Sequence, residues 1–94
     1  MKIIEYKNLV ESLYIGHEFS FSYNNKTYFL ERTNEGCELY DISDSGLKSN
    51  TGNIICKINN KDLIFSINEF LEEKIFDGLS FNEIYDKVKI IDIE

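Results

Sequence analysis

The stretch FSFSYNNKTYFL, which runs from Phe19 to Leu30, decides the fold. Its first half alternates aromatic side chains with serines, the pattern of a strand that is buried on one face. Asn24-Asn25 then fits a two-residue hairpin turn, because asparagine tolerates positive φ better than most residues. The register that follows pairs residues across two strands: Tyr23 with Lys26, Phe21 with Tyr28, and Phe19 with Leu30. We therefore predict an antiparallel hairpin with one aromatic and aliphatic face.

A second hairpin is predicted directly after the first. Asn34-Glu35-Gly36 fits a three-residue loop with glycine in the left-handed position. This loop predicts a register of four pairs: Thr33 with Cys37, Arg32 with Glu38, Leu30 with Tyr40, and Tyr28 with Ile42. Arg32 and Glu38 would then form a cross-strand pair of opposite charges. The two hairpins together predict a three-stranded antiparallel meander.

The segments on either side of the meander also carry structural signals. Before it, apolar residues at helical spacing predict a helix over residues 3–14, which Gly16 ends. After it, residues 43–53 are polar and contain glycine, which predicts an exposed loop. Two β-prone runs, residues 53–58 and 62–66, then predict another hairpin. This hairpin either extends the meander or forms a separate ribbon.

A capping box marks the start of a helix in the last third of the chain. The Ser66 side chain can accept from an early helical amide, while Glu69 reaches back to the amide of the cap residue. The pattern predicts a helix that begins at Ile67 and ends at Asp77-Gly78.

A second capping box, Ser80 with Glu83, predicts a further short helix. Its apolar residues keep helical spacing: Phe81, Ile84, Tyr85 and Val88. The β-branched run that follows predicts a last short strand. Taken together, the elements predict a single α+β domain over residues 1–94. An antiparallel meander of four to five strands carries the N-terminal helix and two short C-terminal helices on one face.

The charge of the chain favours a basic partner. The formal net charge is −7, and residues 66–94 hold eight acids against three lysines. Such a surface disfavours nucleic acid and anionic membranes, because phosphate binding needs basic residues. Neither a signal peptide nor a long apolar run is present in the sequence, so we expect a cytoplasmic protein.

The residue types that carry catalysis or bind metals do not form a recognisable pattern. His17 is the single histidine, and spacing alone pairs it with no nucleophile or carboxylate. Cys37 and Cys56 lack further ligands at metal-binding spacing, so we expect two buried thiols and no metal site. No glycine-rich phosphate loop is present. The sequence therefore predicts a protein that is not an enzyme and that binds no cofactor.

Two segments carry a family resemblance: GHEFSFSYNNKTYFLERTNEGCELYDI and NEFLEEKIFDGLSFNEIYDKVKI. They resemble a group of small acidic bacterial proteins, mostly from Firmicutes, that have no assigned activity. That group shows a GHE entry to an F-x-Y-N-x-K-x-Y hairpin and a closing L-L-x-x-x-x-I-D-G-x-S-L-x-E-I pattern. This chain differs around the glycine, at Phe76 and at residues 79–81, and residues 43–65 do not align. The resemblance implies a shared fold and no catalytic residue.

In size and charge the chain is similar to immunity proteins that neutralise bacterial toxins. Our hypothesis is a non-enzymatic inhibitor that occludes a toxin, such as a basic nuclease, through an acidic helical face. The candidate partner-binding residues are Glu69, Glu72, Glu73, Asp77, Glu83 and Asp86. One alternative is a sensor of small molecules or peptides in which Tyr23, Tyr28 and Tyr40 line a concave sheet. Another is a homodimer that forms through edge strands and binds no ligand.

Overall fold

Five antiparallel strands and a layer of helices make up the part of the chain that the computed structural model describes, residues 5–43 and 53–94. The elements in chain order are α1 (Tyr6–Tyr14), β1 (Phe19–Tyr23), β2 (Lys26–Thr33), β3 (Gly36–Asp41), β4 (Asn53–Asn59), α2 (Leu63–Glu72), α3 (Phe81–Ile84), a 3₁₀ helix (Tyr85–Lys87) and β5 (Lys89–Ile93). The predicted start of the first helix at residue 3 and most of the predicted loop 43–53 lie outside the described residues. The strand order is β4-β3-β2-β1-β5, so the predicted α+β class and antiparallel sheet are confirmed.

The first hairpin forms in the predicted register. Tyr23 pairs with Lys26, and the pairing continues to Phe19 and Leu30. Both turn residues have positive φ, 51° for Asn24 and 66° for Asn25. This conformation twists the turn in the same sense as the strands. The alternation of side chains and the chemistry of the turn therefore specify one register.

The predicted register of the second hairpin is wrong by one residue. The loop has two residues, because Gly36 lies in β3 and pairs with Thr33. Arg32 pairs with Cys37, so the predicted pair of Arg32 with Glu38 does not form. A shift of one residue exchanges the two faces of a strand. Cys37 and Leu39 are consequently buried, while Tyr40 lies on the other face of the sheet.

The predicted strand over residues 62–66 is wrong, because α2 begins at Leu63. The Asp62 side chain is the N-cap and accepts a hydrogen bond of 3.1 Å from the Phe65 N–H. Ser66 lies inside the helix, where its hydroxyl donates to the Leu63 carbonyl at 2.9 Å. The capping box that we predicted at Ser66 therefore does not form. From this region, β4 pairs with β3, so residues 53–59 extend the meander and do not form a separate ribbon.

Helix α2 also ends earlier than predicted, at Glu72. The Asp77-Gly78 pair forms a tight turn, with φ of 55° and 84°, instead of ending the helix. Around this turn Phe76 and Leu79 exchange two backbone hydrogen bonds of 3.0 and 3.1 Å. The second predicted capping box is confirmed: the Glu83 N–H donates to the Ser80 hydroxyl, and the Ser80 N–H donates to the Glu83 carboxylate.

The core lies between the sheet and the helices. Its members come from every helix and strand of the described chain except the 3₁₀ helix: Leu9, Leu13, Phe19, Phe21, Tyr28, Leu30, Cys37, Leu39, Ile58, Ile67, Phe70, Leu71, Phe76, Phe81, Ile84 and Ile90. The Phe81 ring is central, since it contacts the rings of Phe19, Phe21 and Phe70 at centroid distances of 5.7, 5.2 and 5.4 Å. The helices therefore cover one face of the sheet, as predicted.

Candidate partner-binding face

All six predicted partner-binding acids are exposed, and they lie on different elements. Three of them are on α2 or at its C-cap: Glu69, Glu72 and Glu73. Asp77 is in the turn that follows, Glu83 is on α3, and Asp86 is on the 3₁₀ helix. The helix and its C-cap together hold only half of the predicted set.

Glu83 has a structural task. Its carboxylate forms an ion pair with Lys74 and also accepts from the Ser80 N–H at 2.9 Å. The Lys74 hydrogen bond, followed by the bonds to Ser80, lowers the pKa of Glu83 to about 2. The charge of Glu83 is therefore balanced within the chain, which makes it a poor candidate for partner binding.

The outer side of α2 carries an exposed aromatic residue that the sequence interpretation missed. The Phe65 side chain is 63% exposed, and the neighbouring Ile64 is 48% exposed. Phe65 lies four residues before Glu69 and seven before Glu72, so the three share one side of the helix. The missed signal was the helical stripe of Leu63, Ile67 and Phe70, which leaves Phe65 pointing away from the core.

On the outer side of α2, the acids flank Phe65 in two directions. Glu69 and Glu73 are toward β4, where, after burial, their charges raise the pKa of the Cys56 thiol. Glu72 is toward α1, where it contributes to the raised pKa of Tyr6. No lysine or arginine occurs between Leu63 and Glu73. We refer to the exposed side chains Ile64, Phe65, Glu69, Glu72 and Glu73 as the α2 face.

A cleft of about 490 Å³ lies between α1 and α2, beside the α2 face. Its lining consists of Tyr6, Val10, Tyr14, Asn68, Leu71, Glu72 and Asn82. The Tyr14 hydroxyl donates to the side-chain oxygen of Asn68 and so joins the two helices. Burial first, and then the neighbouring Tyr14, Tyr85 and Glu72, raise the pKa of Tyr6 to about 12.

The three tyrosines of the sensor hypothesis do not line a common surface. Tyr28 is buried, with its ring against Phe21 at 5.2 Å and Phe76 at 5.5 Å. The Tyr23 ring also packs on Phe76, at 5.9 Å. Tyr40 faces the other side of the sheet, where its hydroxyl donates to Glu38 at 2.7 Å. The structure therefore leaves the aromatic hairpin without the concave tyrosine surface that a sensor needs.

The described residues hold little that suggests other chemistry. His17 is exposed just after α1, and its backbone N–H donates to the Ser12 carbonyl at 3.1 Å. Cys37 is buried, which raises the pKa of its thiol to about 12, and both cysteines are free. Within residues 5–43 and 53–94, no three His, Cys, Asp or Glu side chains are placed to hold a metal ion. None of the helices in those ranges is long and apolar enough to cross a membrane.

No family model, curated protein or solved structure matches the chain. The resemblance to the small acidic Firmicutes proteins therefore stays a prediction.

Proposed function

We propose that this protein is a non-enzymatic, immunity-type inhibitor that binds a basic toxin, such as a nuclease, through the α2 face. The observation that carries the proposal is Phe65, a largely exposed aromatic side chain beside three acids on a helix without a cation.

An exposed phenylalanine is well suited to anchor an interface. Binding energy concentrates in a few aromatic or arginine side chains that become buried, surrounded by residues that exclude water. Full burial of a phenylalanine contributes about 1.5–3 kcal/mol. On the α2 face, Phe65 and Ile64 would form the apolar centre of the interface, and Glu69, Glu72 and Glu73 the polar rim.

The charges explain why the partner should be basic. The net charge of −7 accelerates association with a cationic surface and slows association with an anionic one. A nuclease presents such a cationic surface where it binds phosphates. An inhibitor that covers this surface blocks access of the nucleic acid without any chemistry of its own.

The structure leads us to rank the predicted acids. Glu69, Glu72 and Glu73 share the α2 face with Phe65 and are the main candidates. Asp77 and Asp86 are exposed and stay candidates for the outer rim. Glu83 is tied to Lys74 and Ser80, so we assign it to the stability of α3.

Co-expression tests the proposal. The gene next to that of this protein in the native genome would be expressed in a bacterial host, alone and with this protein, and growth and co-purification would be measured. When the neighbouring gene is expressed alone, we expect it to prevent growth. When it is expressed with the wild-type chain, we expect growth and a complex of the two proteins. F65S should lose both effects.

I91S is the matched control, because Ile91 is also exposed, at 40%, but lies on the edge strand β5, whereas α2 packs on β3 and β4. Growth without this protein, or equal rescue by F65S and the wild type, would contradict the proposal.

A further inference from the structure

Among the described residues, the side chains that line the cleft between α1 and α2 supply hydrogen-bond acceptors and aromatic rings but no positive charge. Its lining includes the carboxylate of Glu72, the phenols of Tyr6 and Tyr14, and the amides of Asn68 and Asn82. Val10 and Leu71 supply the apolar part of the lining. Each of these seven described residues is therefore either neutral or negative.

We propose that this cleft receives an arginine side chain of the basic partner, an inference that rests on the proposed function. The cleft would thus be the pocket in which the partner's main cationic residue is held, next to the apolar centre of the α2 face.

The chemistry of the lining fits a guanidinium group. This group is planar, carries five N–H donors, and stacks on aromatic faces. Glu72 can accept from two of its donors, and the rings of Tyr6 and Tyr14 offer faces on which a cation is stabilised. The methylene stem of an arginine would lie along Val10 and Leu71. The volume of about 490 Å³ is in the range of pockets that hold small ligands, so a long side chain can enter.

The walls of the cleft are held in place before any partner arrives. The Tyr6 ring packs edge-on against Tyr85, with the centroids 4.9 Å apart. The Tyr14 hydroxyl is fixed by its hydrogen bond to Asn68. Such preorganisation lowers the entropy lost on binding.

Among residues 5–43 and 53–94, the carboxylate of Glu72 has neither a hydrogen bond nor an ion pair, in contrast to that of Glu83. Its charge also contributes to the raised pKa of Tyr6, after burial and the neighbouring Tyr14 and Tyr85, which fits the place of both side chains in the cleft lining. An incoming guanidinium would compensate this negative charge.

An NMR titration of the full chain tests the inference. The probe is the capped tripeptide acetyl-Gly-Arg-Gly-amide, and its binding is monitored through the amide chemical shifts of the protein at constant ionic strength. The same peptide with glutamine in place of arginine is the control. We expect saturable shifts confined to the lining residues with the arginine peptide and none with the glutamine peptide. E72Q should weaken the affinity about tenfold. E73Q, which removes the same charge at the C-cap of the same helix and outside the cleft lining, should change the affinity less than about twofold.

Two results would overturn the inference: equal weakening by E72Q and E73Q, or equal binding of both peptides. The first would mean that the peptide responds only to the general negative field. Each variant must keep the wild-type spectrum elsewhere.

The outcome is separable from that of the proposed function. If the cleft binds no arginine but F65S still loses the toxin, only the inference fails. If the cleft binds arginine but F65S keeps the toxin, the proposed function fails.

Discussion

A Cβ atom on Gly36 would lie 1.9 Å from the carbonyl oxygen of Ile58 on the neighbouring strand. Real Cβ atoms essentially never come so close to a backbone atom, and the φ of Gly36, +150°, is one that side-chain-bearing residues rarely adopt. The close approach of β4 to β3 therefore requires glycine at this position.

G36A should consequently lower the free energy of unfolding by about 3 kcal/mol or more, because either the backbone must move or β4 must separate from β3. Urea denaturation measures the change. G78A is the control: its φ is +84°, but an added Cβ would have no atom within 4 Å. We expect it to cost only about 1–2 kcal/mol, from backbone strain alone. Equal losses in the two variants would show that the contact with Ile58 is unimportant.

The start of α2 provides a second prediction. D62A should lower the free energy of unfolding by about 1 kcal/mol, because it removes the cap that accepts from the Phe65 N–H. S66A should change it by less than about 0.5 kcal/mol, since the gain in helix propensity offsets the lost hydrogen bond to Leu63. Urea denaturation of both variants decides. A larger loss for S66A than for D62A would place the cap at Ser66, as the sequence pattern suggested.

The contrast between the two hairpins shows where prediction from this sequence works. In the first hairpin, the alternation from Phe19 and the turn at Asn24-Asn25 both require the same register, and that register forms. In the second hairpin, Leu39 and Tyr40 can each be aligned with the apolar face of β2. The choice depends on β4, which leaves no room for a Cβ at Gly36. This contact is distant in sequence, so the local pattern could not reveal it.

The same reasoning applies to the candidate face. Glu69, Glu72 and Glu73 could be selected from the charge pattern, and the structure places them together on α2. Phe65 could not be selected from the sequence, because its exposure depends on whether residues 62–66 form a strand or a helix. Tertiary packing decides between the two, since the helix continues the stripe of Ile67 and Phe70 back to Leu63 and lets this stripe contact the sheet.

Glu83 makes stability depend on pH in a defined interval. Its ordinary pKa of 4.5 falls to about 2 in the folded chain, chiefly through Lys74 and then Ser80. As the pH falls, the Glu83 carboxylate therefore takes up a proton in the unfolded chain before it does so in the folded chain. Its contribution to the free energy of unfolding is present above pH 4.5 and is lost between about 4.5 and 2.

Measuring the free energy of unfolding across this interval tests the assignment. E83Q should reduce the dependence on pH, because glutamine can still cap α3 but does not titrate. K74M should partly reduce the dependence of stability on pH. A salt concentration of 1 M should also weaken this dependence, because the ion pair of Lys74 with Glu83 is exposed. An unchanged slope in E83Q would rule Glu83 out as the cause.

Phe65 and Phe70, on the same helix, should behave in opposite ways. F70A should lower the free energy of unfolding by about 3–5 kcal/mol, because Phe70 is 0% exposed in the core. F65A should change it by less than about 1 kcal/mol, since its side chain is mostly in water. Urea denaturation gives both values. A large loss for F65A would mean that this residue stabilises the fold and is not available for a partner.

The dissociation constant of the complex with the neighbouring gene's toxin, measured by calorimetry at physiological salt, tests the account most directly. The triple variant E69Q/E72Q/E73Q removes three charges from the α2 face. E35Q/D92N/E94Q removes three exposed charges elsewhere and leaves the same net charge. We predict that the α2 variant raises Kd about 100-fold or more, and the control less than about threefold. Equal effects of the two variants, or no effect of the α2 variant, would contradict binding through the α2 face.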